Sequence, residues 1–330
     1  MYKVLVIVGP TGVGKTELSL RAAERYHCPI INADSRQIYR EIPIGTAAPT
    51  LDEQRRVKHY LIGTHDLNED YNAGQFARDC QEILHQAQLI KPKAHQAEGS
   101  SSAAQQQSDA PIAIISGGSM LYIDAVCKGL DDIPDVPTAI RQEVRKEYET
   151  QGLEWLQTQV QVLDPVYWQQ VDQHNPQRLM HCIEVTRAAG RPYSTYRQQT
   201  NAKLSTAPYA FIKVGLNCPR AELYDRINRR TLQMMEQGFE EEAHRVWLQY
   251  RQDKPNSLNT VGYKELFAYF EGQCTREEAI EKIQQHTRNY AKRQLTWLLR
   301  DKTIHWLDRN TDYETQLHTI HTWLDAADRL

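Results

Sequence analysis

Gly9-Pro10-Thr11-Gly12-Val13-Gly14-Lys15-Thr16 satisfies the pattern G-x-x-x-x-G-K-[ST], a phosphate-binding loop. Its surroundings carry the reading. Lys3-Val4-Leu5-Val6-Ile7-Val8 is a short apolar run rich in β-branched residues, which predicts a buried strand. Glu17 to Tyr26 follows with good helix formers and apolar positions at Leu18, Ala22 and Ala23. Strand, glycine loop and helix is the order the motif needs. Glycines let the backbone wrap a phosphate, and the amides with the helix N-terminus supply positive potential. Lys15 adds a cation for the terminal phosphate, and the Thr16 hydroxyl suits Mg²⁺. The motif by itself calls for a bound di- or triphosphate and a nucleotide-using enzyme.

The whole chain sets bounds on this reading. Its 330 residues suffice for one large or two modest domains. A net charge of −3 gives no global nucleic-acid signature, so any such surface must come from local clustering. Cys28, Cys80, Cys127, Cys182, Cys218 and Cys274 lie far apart with no C-x-x-C, which argues against a zinc site or a disulfide framework. No run reaches about 18 apolar residues, and the N-terminus enters a core strand directly. Those features lead us to expect no membrane span and a cytoplasmic location.

Further strands follow the loop. Pro29-Ile30-Ile31-Asn32 reads as the second and runs into Asp34-Ser35-Arg36-Gln37. An acid at the carboxyl end of a parallel strand lies at the ligand edge of an open sheet. Asp34 is then either an N-cap or Mg²⁺ partner, or a catalytic base beside the phosphate. His59 to Gly63 suits a short edge strand and Asn72 to Gln88 a helix. Lys91 to Asp109 holds a Ser/Gln-rich tract and is expected to be a disordered insertion, within 91–110. Ile112 to Ile115 predicts another buried strand, opening into Ser116-Gly117-Gly118-Ser119, where Ser119 is an N-cap or a ligand-edge hydroxyl.

The proline-rich segment Asp131 to Pro137 marks a boundary. Residues 131–190 are patterned as helices and read as a helical insertion, leaving 1–130 and 191–330 as the catalytic core. Tyr209 to Leu216 is a further core strand, followed by a helix carrying Arg220, Arg226, Arg229 and Arg230. Those arginines suit a solvated face better than a lid. Toward the C-terminus, Glu281 to Lys302 holds six Lys or Arg against two acids, with Arg288, Lys292, Thr296 and Arg300 in one helical row. Tyr290 and Trp297 interleave them, a pattern suited to phosphate contacts with stacking. The plainer reading is an amphipathic helix with Leu295, Leu298 and Leu299 in the core. The fold class expected is α/β, a parallel P-loop NTPase-like sheet flanked by helices with a mainly helical insertion.

Seven landmarks in this order resemble the P-loop tRNA dimethylallyltransferases, or isopentenyltransferases, over nearly the whole chain. They are Gly9 to Thr16, Asp34 to Tyr39, Ile44 to Ala47, Gly117 to Tyr122, Asn175 to Leu179, Val261 to Lys264, and Thr287 to Trp297. The resemblance implies transfer of a dimethylallyl group from its diphosphate to N6 of adenosine 37, in tRNAs reading codons that begin with U. The loop would hold the donor's diphosphate rather than ATP, with Mg²⁺ as cofactor. Asp34 would be the general base, assisted by Ser119 and Lys15. Ser35, Arg36 and Gln37 would hold bases flanking the target. Arg141, Gln177, Arg178, His181, Gly262, Lys264, Arg288, Lys292, Arg293, Gln294 and Trp297 would contact tRNA, with adenosine 37 flipped into the site. The partners expected are tRNA and dimethylallyl diphosphate, for a monomer. Three positions depart from the family pattern: Ala48 replaces a usual lysine, His181 a usual arginine, and Leu299 stands where a base is frequent. Two rivals are a small-molecule kinase using ATP·Mg²⁺ and an RNA-binding module with a relic loop.

Overall fold

The computed structural model describes residues 1–90, 110–129, 131, 133–197, 208–253 and 255–327. The first strand, β1 (Tyr2–Val8), is buried from Lys3 onward because it lies inside the sheet with helices on both faces. Leu5 and Ile7 face helix α1 (Lys15–Tyr26), packing with Leu18, Ala22 and Tyr26. Val4, Val6 and Val8 face the opposite way, toward Phe76, Cys80 and Leu84 of the helix Ala73–Ile90. Each alternate residue thus meets a different core, which a period-two strand requires.

Six strands among the described residues are all parallel: β1, β2 (Ile30–Asn32), β3 (His59–Tyr60), β4 (Ala113–Gly117), β5 (Tyr209–Asn217) and β6 (His305–Asp308). Their order is β3-β2-β4-β1-β5-β6. The chain therefore leaves β1, β2, β4 and β5 on one edge, and the phosphate loop, Asp34, Gly118 and Cys218 all start there. The last strand and the final helix, Tyr313–Ala326, went unread in the sequence, since His305 to Asp308 alternates weakly and has one buried residue, Leu307.

By its contacts the chain falls into two units. One is Met1–Cys127 with Pro208–Leu330, and holds the sheet. The other, Lys128–Ala207, is helical among its described residues. Its core joins Val144, Leu156 and Val160 to Leu179, Cys182 and Ile183. Gly152 breaks the long helix Thr138–Leu163 with φ 76°, so a helix lies on each side of it. The unit extends past the 131–190 read from sequence because buried Asp164 accepts hydrogen bonds from Ser194 N at 2.6 Å and Ser194 Oγ at 2.8 Å. All but the last residue of the 91–110 insertion lies outside the described residues. Among the described residues no helix is long and apolar enough to cross a membrane.

Candidate active site

The loop between β1 and α1 lines a cleft of about 270 Å³ together with Asp34, Gln37, Thr46, Ser116, Gly117, Arg226 and Arg230. Gly14 stands at the start of α1 with φ +106°, a region nearly closed to residues with a Cβ. That turn aims the first amides of the helix into the cleft, where an anion is favoured. Lys15 donates from Nζ to the carbonyls of Gly9 and Pro10, each at 3.0 Å. Burial pushes its ammonium down to about 8, and Arg230 adds to the shift while Asp34 opposes it.

Two arginines of the helix Arg220–Glu236 close on the loop. Arg226 Nε donates to Gly12 O at 2.9 Å, and Arg230 Nη2 donates to Thr11 Oγ1 at 2.7 Å. Burial holds Arg230 below the usual guanidinium range, against the pull of Asp34. The sequence read these arginines as a solvated face. That holds for Arg229, paired with Asp225, and for Arg220, stacked on Tyr224. It fails for Arg226 and Arg230, four residues apart on one row with Leu223 and Ile227 as buried neighbours.

Asp34 lines the same cleft as Lys15, its Oδ1 accepting from Arg36 N at 2.9 Å. Gln37 donates from Nε2 to the carbonyls of Thr46 and Ala47, each at 3.0 Å. Ser119 is buried, and its hydroxyl accepts from Ser35 N at 2.8 Å and donates to Ser35 Oγ at 3.1 Å. It therefore braces the segment after Asp34 rather than presenting a hydroxyl to the cleft.

The helix Arg276–Leu298 and the residue after it need two corrections. Gln294, expected on an RNA face, is 1 % exposed. Its Oε1 accepts from Thr11 N at 2.8 Å and its Nε2 donates to Gly118 O at 2.8 Å, so it ties the phosphate loop to the glycine turn after β4. It shares its helical row with buried Ala291 and Leu298, which was the available signal. Leu299, expected in the core, is exposed, because that row ends at Leu298. Gly262 is buried against Phe239 and opens the helix Tyr263–Phe270, its N–H donating to Glu265. It offers no RNA-facing surface, whereas Lys264 beside it is exposed. Lys292 and Arg293 are exposed. Arg288 is held by Asn228 Oδ1 at 2.6 Å, and Trp297 Nε1 donates to Asp124 at 3.0 Å.

In the helical unit, Gln177 and Arg178 are exposed on the helix Pro176–Ala189, as is Arg141 on the helix Thr138–Leu163. His181 packs edge-on to Tyr193. Burial lowers its imidazole and the Arg141 charge adds to the effect.

Thr16 is exposed at the cleft, one turn from Ser19. Among the described residues no three His, Cys, Asp or Glu side chains gather into a metal cage. The Thr16 hydroxyl in the phosphate-loop cleft would suit an Mg²⁺ held mostly by substrate phosphate and water.

The family model for IPP transferase matches residues 37–301, most of the chain. The chain belongs to the IPP transferase family. Family membership makes it a prenyl-transferring enzyme. The phosphate loop and Asp34 precede the matched span. A tRNA dimethylallyltransferase of Parabacteroides distasonis is 47 % identical over 306 residues, covering 93 % of this chain and 94 % of its own. Another, from Bacteroides thetaiotaomicron, is 45 % identical over 317 residues, 96 % of this chain and 94 % of that one. Among solved structures, the tRNA isopentenylpyrophosphate transferase of Bacillus halodurans superposes with a TM-score of 0.68 at 28 % identity, covering 100 % of this chain and 99 % of that one. A eukaryotic dimethylallyltransferase acting on tRNA shares the fold, with a TM-score of 0.72 at 23 % identity, over 94 % of this chain and 74 % of its own.

Proposed function

We propose that this chain transfers the dimethylallyl group of dimethylallyl diphosphate to N6 of adenosine 37, in tRNAs that read codons beginning with U. The observation that carries the reading is that Asp34 shares the phosphate loop's own pocket with Lys15 and Arg230 and interacts electrostatically with both. A proton acceptor and cations thus line one cleft, as a displacement with an anionic leaving group needs.

The N6 nitrogen attacks the allylic carbon, the carbon–oxygen bond breaks, and its electron pair leaves with the diphosphate. Asp34 accepts the N6 proton, without which a ring-conjugated amine is a poor nucleophile. Loop amides, Lys15 and Arg230 stabilise the charge growing on the departing diphosphate. Mg²⁺ at Thr16, when bound, supplies further neutralisation of that charge. Gln294 holds the loop in shape from behind, and Ser119 holds Ser35 so that Asp34 keeps its direction. The enzyme is read as a cytoplasmic monomer.

The test is nucleoside mass spectrometry on an anticodon stem-loop with adenosine at position 37. The loop is incubated with protein, Mg²⁺ and dimethylallyl diphosphate, with ATP in a parallel arm. One C5H8 unit gained on that adenosine is the expected result. ATP consumption with no such gain would replace this reading with a kinase.

RNA engagement gives its own expectation. Changing Lys292 and Arg293 together to alanine weakens stem-loop binding and lowers the salt slope by about one to two units, since each phosphate contact contributes roughly 0.7–0.9. Binding titrations between low and physiological salt measure this. An unchanged slope would remove these residues from the RNA face.

A further inference from the structure

Glu242, in the helix Phe239–Tyr250, is 3 % exposed and lies outside the cleft. Its carboxylate accepts three hydrogen bonds: from Ile44 N at 2.9 Å, Gly45 N at 2.8 Å and the Tyr263 hydroxyl at 2.5 Å. Burial, reinforced by the Glu242 charge, pushes the Tyr263 phenol well above its usual value, so it remains a donor. A Cβ at Gly45 would stand 2.2 Å from the Phe239 ring and 2.3 Å from the Tyr263 oxygen. The backbone of this turn is thus pressed onto the carboxylate with no spare room.

Two residues after Gly45, Ala47 has φ +49°, a conformation L-residues adopt only when their surroundings enforce it. The turn is closed by Ala47 N to Ile44 O and Ala48 N to Pro43 O, each at 2.9 Å. Ile44, one of the two residues gripped by Glu242, is therefore also part of the closure, and Gly45 lies within the turn. The product of this turn is a pair of carbonyls, Thr46 O and Ala47 O, which take both hydrogens of the Gln37 amide. With its NH₂ consumed, Gln37 has its oxygen left, and that oxygen can only accept.

We infer that Glu242 is a positioning residue for base selection: it locks the 44–47 turn so that Gln37 presents an acceptor, and only an acceptor, to a base beside the target. The inference rests on the proposed reading of this cleft as the site that receives adenosine 37. A base with an exocyclic amine satisfies the Gln37 oxygen. A base with a carbonyl in that place sets two acceptors against each other. If the turn relaxes, Gln37 can rotate its amide and the distinction fades.

The test compares a stem-loop in which the bases beside adenosine 37 are adenosine with copies carrying inosine at each of those places. Affinity is read by fluorescence anisotropy for the wild type, E242Q and Tyr263→Phe. The wild type is expected to lose about tenfold or more in affinity for inosine at one flanking place. E242Q should narrow that ratio to about threefold or less, and Tyr263→Phe should move it the same way by a smaller factor. Binding of inorganic diphosphate with Mg²⁺, measured by calorimetry, should stay within about twofold in both variants, since Glu242 does not touch the phosphate loop. A flanking-base ratio that is unchanged in the variants, or absent in the wild type, overturns the inference. So does a parallel loss of diphosphate binding, which marks a merely structural role. Tyr263→Phe keeps the ring and carries the test if E242Q does not fold. Failure of the wild type to prenylate the adenosine loop would instead overturn the proposed function, so the two failures are distinguishable.

Discussion

Replacing Asp34 by asparagine is expected to cut turnover by about 10²–10⁴-fold, the range for removing a positioned general base. The substitution is nearly isosteric. The amide oxygen can still accept from Arg36 N, which Asp34 Oδ1 now does at 2.9 Å, so the segment that carries Ser35 to Gln37 keeps its course. Stem-loop affinity should therefore change by less than a few-fold while the chemical step slows. Single-turnover rates with saturating RNA and donor separate the two. A rate within a few-fold of wild type would mean the N6 proton leaves by another route, and Asp34 would revert to an N-cap for the turn. Loss of RNA binding alongside the rate would give it a binding role instead.

The second large effect is expected at Lys15. Lys15→Met keeps the chain length and removes the cation aimed at the leaving diphosphate. A fall of about 10²–10³-fold in turnover is the expected scale for losing one such preorganised group. Stability should move the opposite way. Burial desolvates the Lys15 ammonium, which donates to the carbonyls of Gly9 and Pro10, and so its pKa falls to about 8 from the usual 10.5. Below pH 8 both folded and unfolded chains hold the proton, and the cost of burying it is fully present. Between pH 8 and 10.5 the unfolded chain binds more protons than the folded one, so this group's contribution to stability rises with pH. Lys15→Met should accordingly be more stable than wild type at pH 7, and lose that advantage as pH approaches 10.5. Urea unfolding at several pH values, read as the difference between the two proteins, checks it. A pH-independent difference would show that Lys15 is not strained by burial. Donor diphosphate restores a negative partner, so its addition should stabilise the wild type and leave the variant nearly unmoved.

The two predictions draw on residues of different legibility. Lys15 and Asp34 could be read directly, because each sits at a short fixed distance from a strand end: the loop follows β1 at once, and Asp34 comes two residues after Asn32. Local chemistry sufficed there. A glycine-rich turn between an apolar run and a helix has few other uses, and an acid at the carboxyl edge of a parallel strand has little to do in a core. The helical insertion was similarly plain from its periodicity and its proline-marked boundary.

Sequence by itself thus determined the parallel sheet, its ligand edge, the phosphate loop and the acid that shares its cleft. Tertiary structure alone decided what surrounds them. Gln294 was expected, from the family resemblance, to contact tRNA. It is buried because Thr11 N and Gly118 O, 283 and 176 positions away, need partners inside the molecule. Arg226 and Arg230 looked like surface charge until the fold laid their helix along the loop. Ser119 looked like a ligand hydroxyl until Ser35 claimed it. Glu242 carried no local signal at all among three consecutive glutamates, Glu240 to Glu242; one of them turns inward because two amides and a phenol converge there. Periodicity tells which face of an element is buried. The hydrogen-bond demand that selects a polar side chain for that face is set by backbone groups distant in sequence, and only the folded chain brings the two together.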